Sequence, residues 1–127
     1  MAGWSEDELR GIDGVDEITI APVLGDGERR DPTIVWAVRT GDDLYVRAAG
    51  HANSGWHGAA RSSRQARITA PGVARDVDVA DADEAVLDRV DTAYRAKYGS
   101  RYASIVESIT DAEHRATTLR LTPARDA

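Results

Sequence analysis

Between Thr33 and Thr69 the sequence reads as strand, turn, strand, glycine-containing loop, helix and strand, and this order constrains the fold more than any other feature of the chain. Thr33-Ile34-Val35-Trp36-Ala37-Val38-Arg39 is the most apolar stretch, which predicts one strand covered on much of both faces. Thr40-Gly41-Asp42-Asp43 supplies a hairpin turn, and Leu44-Tyr45-Val46-Arg47-Ala48 returns with Leu44, Val46 and Ala48 on one face. The small and polar residues from Ala49 to Gly55 then form a loop, with Ser54 as an N-cap for a helix over about Gly55 to Ser62. Gln65–Ala70 is the next strand.

The flanks extend the pattern. Ser5-Glu6-Asp7-Glu8 is a capping box that opens a short helix over about Glu6 to Gly11. Glu17–Pro22 alternates as a strand, and Gly25-Asp26-Gly27 is a turn. After the Pro71-Gly72 turn, Ala74–Val79 pairs back as an exposed hairpin. Asp81, with Glu84 three residues later, caps a long helix whose buried stripe is Val86, Leu87, Val90, Ala93, Tyr94 and Tyr98, stopped at Gly99. Tyr102–Ile109 suggests a short helix, and Thr117–Thr122 a last strand ended by Pro123. Several short antiparallel strands with few helices imply an α+β fold built on a barrel or strongly curved sheet.

Composition removes several functional classes. At 127 residues the chain has the size of a single domain, spanning residues 1–127. The net charge of −6 opposes a general nucleic-acid binder, which needs a basic face to release phosphate counterions. No cysteine is present, so disulfides and thiolate metal sites are excluded. The acidic start has no basic and apolar regions of a signal peptide, and no apolar run approaches the roughly 20 residues that span a bilayer. No membrane partner and a cytoplasmic location are therefore expected.

The chemistry concentrates between Arg47 and Arg64. A glycine-containing loop feeding a helix points free amides and the positive dipole end at whatever lies there. Arg47, at a strand end, would add a charge-assisted bond to a phosphate or carboxylate. Trp56 and His57 fall in the first helical turn, where an aromatic face can stack on a ring. The plainer reading stands beside it: Ser54 caps the helix and Trp56 is core. Arg29-Arg30 is a solvated loop or a second reach toward the same anion. His51 and His57 match no zinc spacing, so no metal site is expected, and no catalytic residue is assigned.

Two blocks carry a resemblance. Ile34-x-Trp36-x-Val38-x-x-Gly41-Asp42-x-Leu44-Tyr45-Val46-Arg47 with Gly50-x-x-x-Ser54-x-Trp56-x-x-Ala59-Ala60 is one, and Ala93-Tyr94-Arg95-x-Lys97-Tyr98-Gly99 is the other. Together they resemble a bacterial family known as domain of unknown function 2255, over roughly Ile18 to Pro123. The first block is also similar to the flavin- and deazaflavin-binding split-barrel proteins. That likeness implies a six-stranded antiparallel split β-barrel with one long and two or three short helices. It further implies a homodimer with FMN or a deazaflavin at the subunit interface, near Arg47, Gly50, Ser54, Gly55, Trp56 and His57.

Two functions follow as expectations. One is a flavin- or deazaflavin-binding oxidoreductase. The other is a non-catalytic dimeric module that binds a small anionic or aromatic ligand or none. The second draws on a departure: Gly27-Glu28-Arg29-Arg30 only faintly echoes the Gly-Arg-Ser-Gly element of deazaflavin reductases.

Overall fold

The structure, a computed structural model, describes residues 3–48 and 55–124. Its elements run α1 (Glu6–Asp13), β1 (Ile18–Pro22), β2 (Thr33–Val35), β3 (Ala37–Thr40), β4 (Asp43–Val46), α2 (Gly55–Ser63), β5 (Gln65–Ala70), β6 (Val73–Asp81), a single 3-10 turn (Glu84–Val86), α3 (Leu87–Tyr98), α4 (Ala103–Ile109), α5 (Ala112–Arg115) and β7 (Leu119–Pro123). The fold is α+β, as expected, with seven strands in one antiparallel sheet ordered β2-β1-β5-β6-β7-β4-β3.

The seventh strand comes from a break. Thr33–Arg39 is not one strand: β2 pairs with β1, Ile20 facing Thr33, whereas β3 pairs with β4, Ala37 facing Val46. The two pieces lie at opposite ends of the strand order and only Trp36 separates them. Two residues of chain span at most about 7 Å. The sheet must therefore curl until its edges meet at Trp36, which makes it a split barrel.

Helix α3 supplies the polar groups at this seam. Tyr94 Oη donates to the Trp36 carbonyl at 2.7 Å, and Lys97 Nζ to the Ala37 carbonyl at 2.6 Å. Tyr98 lays its ring on the Trp36 indole, with centroids 4.0 Å apart and planes 7° apart, while its hydroxyl donates to the Asp16 carbonyl at 2.6 Å. Residues 94, 97 and 98 share one helical face. They satisfy carbonyls that a continuous ladder would have used.

Inside the barrel, alternate residues from every strand meet. Ile18, Ile20, Val35, Leu44, Val46, Ala66, Ile68, Val77, Val79, Leu119 and Leu121 are all buried. The β5–β6 hairpin is not exposed: β6 lies mid-sheet between β5 and β7, and Val77 and Val79 are core. Helix α1 closes one end with Leu9 and Ile12, and its capping box forms as expected, with Ser5 Oγ accepting from the Glu8 amide and Glu8 from the Ser5 amide. The long helix is capped differently from the sequence reading. Asp83, not Asp81, accepts from the Ala85 amide and starts the 3-10 turn that leads into α3. Asp81 ends β6 and pairs with Arg61 at 3.0 Å.

A second apolar cluster lies outside the barrel, between α3, α4 and the outer faces of β3 and β4. It consists of Val38, Tyr45, Val90, Tyr94, Tyr98, Val106 and Ile109, with Trp36 packed against it. Among the described residues, no helix is long and apolar enough to cross a membrane.

Candidate functional site

A cavity of about 330 Å³ opens where the seam meets the helices. Strand β2 contributes Ile34 and Val35, and the break itself contributes Trp36. Trp56 enters from the first turn of α2, Tyr94 from α3, and Ile105 and Ile109 from α4. Arg47 forms part of the wall from just past β4, and Glu17 lies at the lining from just before β1. Ile34 and Ile105 are 60% and 45% exposed, so the rim is apolar as well as the walls. The volume is at the small end of the range for ligand pockets, roughly 300–1,000 Å³.

Arg47 is wholly buried and bound to the protein itself. Its Nη1 donates to Asp91 Oδ1 at 2.6 Å and to the Ile109 carbonyl at 2.8 Å. Its Nε donates to Thr118 Oγ1 at 2.8 Å, and its Nη2 to the Leu87 carbonyl at 3.2 Å. The guanidinium carbon lies 5.4 Å from the centre of the Tyr94 ring. Asp91 also accepts from Arg115 at 3.1 Å, and Arg115 reaches Asp88 at 2.9 Å. Two guanidiniums and two carboxylates therefore cancel beside the cavity. Arg47 joins β4, α3, α4 and β7 into one wall. Its barrel-side neighbour, Ala48, donates its amide to Thr117 Oγ1 at 3.0 Å.

The structure brings two of the expected site residues, Arg47 and Trp56, into one cavity and turns a third away. His57 is buried, with Nε2 2.8 Å from the Thr117 carbonyl, and burial holds its imidazole below the ordinary value. Gly55 begins α2, and the Arg30 guanidinium packs where a Cβ on Gly55 would sit. Gly50 and Ser54, with His51, lie outside the described residues. Sequence reasoning placed Tyr94 in a buried stripe and Trp36 in a strand without seeing that both face a cavity. The available signal was chemical: a tyrosine hydroxyl in a buried stripe must find an acceptor.

The scan of family models matches residues 8–121 to "Uncharacterized protein conserved in bacteria (DUF2255)". The chain belongs to this family. A search of curated proteins finds no match to this chain. Among solved structures it is similar to a conserved hypothetical protein from Mycobacterium tuberculosis, with TM-score 0.62 and 14% identity over 98% of this chain and 82% of that one. It is also similar to HutZ, the heme storage protein from Vibrio cholerae, with TM-score 0.65 and 12% identity over 95% of this chain and 91% of that one. A third is a heme-binding protein from Mycobacterium smegmatis, with TM-score 0.53 and 15% identity over 91% of this chain and 48% of that one. At such identities the likeness is one of fold.

A heme iron asks for imidazole, thiolate, thioether or phenolate. The described lining holds none of the first three. Its one phenol, Tyr94, already donates to Trp36, and burial pushes its pKa up, away from phenolate. A flavin phosphate asks for uncompensated cations, and Arg47, the one cation of the described lining, is neutralised by Asp91. The described lining thus offers neither a ligand for an iron nor an uncompensated cation for a phosphate.

Proposed function

We propose that this protein binds a small, flat aromatic molecule in the cavity beside Trp36, as a ligand-binding module without chemistry of its own. The observation that supports this most is the lining. Two indoles, a phenol ring and branched aliphatics surround about 330 Å³. Burying flat apolar surface there yields roughly 25 cal/mol per Å², and ring stacking adds to it. Titration calorimetry against a panel of bicyclic aromatics tests this reading. Saturable binding that is lost in Trp56→Ala is expected, and no binding by any member at millimolar concentration overturns it.

A second reading, a flavin- or deazaflavin-binding oxidoreductase, draws on one observation. The Arg30 guanidinium lies against Gly55 at the head of α2, next in sequence to Trp56 of the cavity wall. A ring in the cavity and a phosphate at that helix head would then belong to one molecule. The cofactor would supply the hydride chemistry and the protein its placement. A yellow purified protein, or FMN binding weakened in Arg30→Ala, favours this reading; a colourless protein that FMN does not titrate removes it. The homodimer implied by the fold family belongs to the same proposal, and sedimentation equilibrium decides it.

A further inference from the structure

The structure assigns a charge preference to the cavity: we infer that its ligand is an aromatic cation, such as an N-alkylated nitrogen heterocycle, rather than an anion. This rests on the cavity being a ligand site, and adds the sign of the ligand's charge.

Three observations carry it. First, the wall is built from Trp36, Trp56 and Tyr94, whose faces carry the negative part of the ring quadrupole and attract cations within about 6 Å. Second, the protein already uses this wall in that way, since it seats the Arg47 guanidinium 5.4 Å from the Tyr94 ring centre. Third, the charges around the cavity do not balance. Arg47 is cancelled by Asp91 at 2.6 Å. Glu17 lines the cavity with an exposed carboxylate that has no ion-pair partner among the described residues. The uncompensated charge of the lining is therefore negative. An anion entering would face Glu17 with no uncompensated guanidinium in the described lining to receive it. A cation would gain the ring faces and the carboxylate together. The overall charge of −6 draws it in the same direction.

Three probes of one shape separate the possibilities: N-methylquinolinium, quinoline, which is uncharged at neutral pH, and 1-naphthoate. Each is titrated by calorimetry into the wild type and Glu17→Gln, at low and high salt. The expected order is cation, neutral, anion, with the cation bound roughly three- to tenfold more tightly than quinoline. Glu17→Gln should reduce that ratio, the cation losing more affinity than quinoline does. Because Glu17 is exposed, the variant is expected to fold normally, which its thermal melt verifies. If quinoline or naphthoate binds as well as the cation, the charge preference is wrong and the aromatic site stands. If none of the three binds, the site itself is wrong.

Discussion

The two apolar clusters of this protein are held together by different physics. Inside the barrel the contacts are nearly all between hydrocarbon side chains, and the polar exception is the Trp4 indole donating to the Leu121 carbonyl at 2.9 Å. Outside it, beneath α3 and α4, the cluster is aromatic and carries polar tips. Tyr94, Lys97 and Tyr98 bond backbone carbonyls, and Arg47 bonds four groups, two on α3, one on α4 and one just before β7. The interior holds the curl of the sheet by area buried. The outer layer holds one place, the seam, by directed bonds. The cavity lies where the two meet, with Val35 and Trp56 from the barrel cluster and Trp36, Tyr94 and Ile109 from the outer one.

The largest effect expected from breaking this contrast is at Asp91. Asp91→Ala leaves the Arg47 guanidinium buried without its carboxylate and should cost about 3–5 kcal/mol in urea unfolding. A smaller loss than Ile68→Ala would show that the outer layer does not depend on its ion pair. Ile68, wholly buried in the barrel, should cost about 2–5 kcal/mol on truncation to Ala. It should leave ring binding in the cavity unchanged, since Ile68 is not part of the lining.

Tyr98→Phe removes one hydroxyl from the seam and keeps the ring stacked on Trp36. About 0.5–1.5 kcal/mol is expected, together with faster amide exchange around Asp16 and Ala37. A loss of stability without that local change would mean that the hydroxyl is not a seam contact.

The smallest effect is a pH dependence from the barrel end. Burial lowers the His57 pKa in the folded chain below the ordinary value of about 6.5. The unfolded chain therefore binds the proton first as pH falls. Stability present above that value is lost as pH drops through it, by at most about 1.4 kcal/mol per unit. His57→Gln should flatten the slope in this window. Glu6, Glu8, Asp16 and Asp111 have lowered pKa values, so their contributions fade at lower pH, in the carboxylate range. A slope near pH 6 that survives in His57→Gln would assign the titration to another group.

Most strands and the buried stripe of α3 were readable in the sequence; the seam and the bonds of the outer layer were not. Alternation placed Leu44, Val46 and Ala48 on one face of the β4 segment, and the Ser5 and Glu8 pair announced α1, because both signals act within a few residues. The break at Trp36 gives no local sign. Ile34–Val38 is apolar throughout, and the groups that end its ladder lie about sixty residues away on α3. Arg47 was recognised as important, but not what it binds. A charge at a strand end looks solvent-facing until Asp91 and two helix carbonyls are folded over it. Trp56 was expected beside a ligand, and it does line the cavity; part of what surrounds it, Tyr94, Ile105 and Ile109, came from α3 and α4, outside the segment that suggested it.

The seam also has a topological meaning. Both free edges of the sheet, β2 and β3, are tethered by a single residue of chain at Trp36. Chain connectivity thus does the work that ladder hydrogen bonds do in a closed barrel. A longer linker at this point would let the curl relax and present two unpaired edges, each ready to accept a strand from another molecule. Exchange of the N-terminal arm between copies would then satisfy both. The shortness of this link is what keeps such a sheet to one chain.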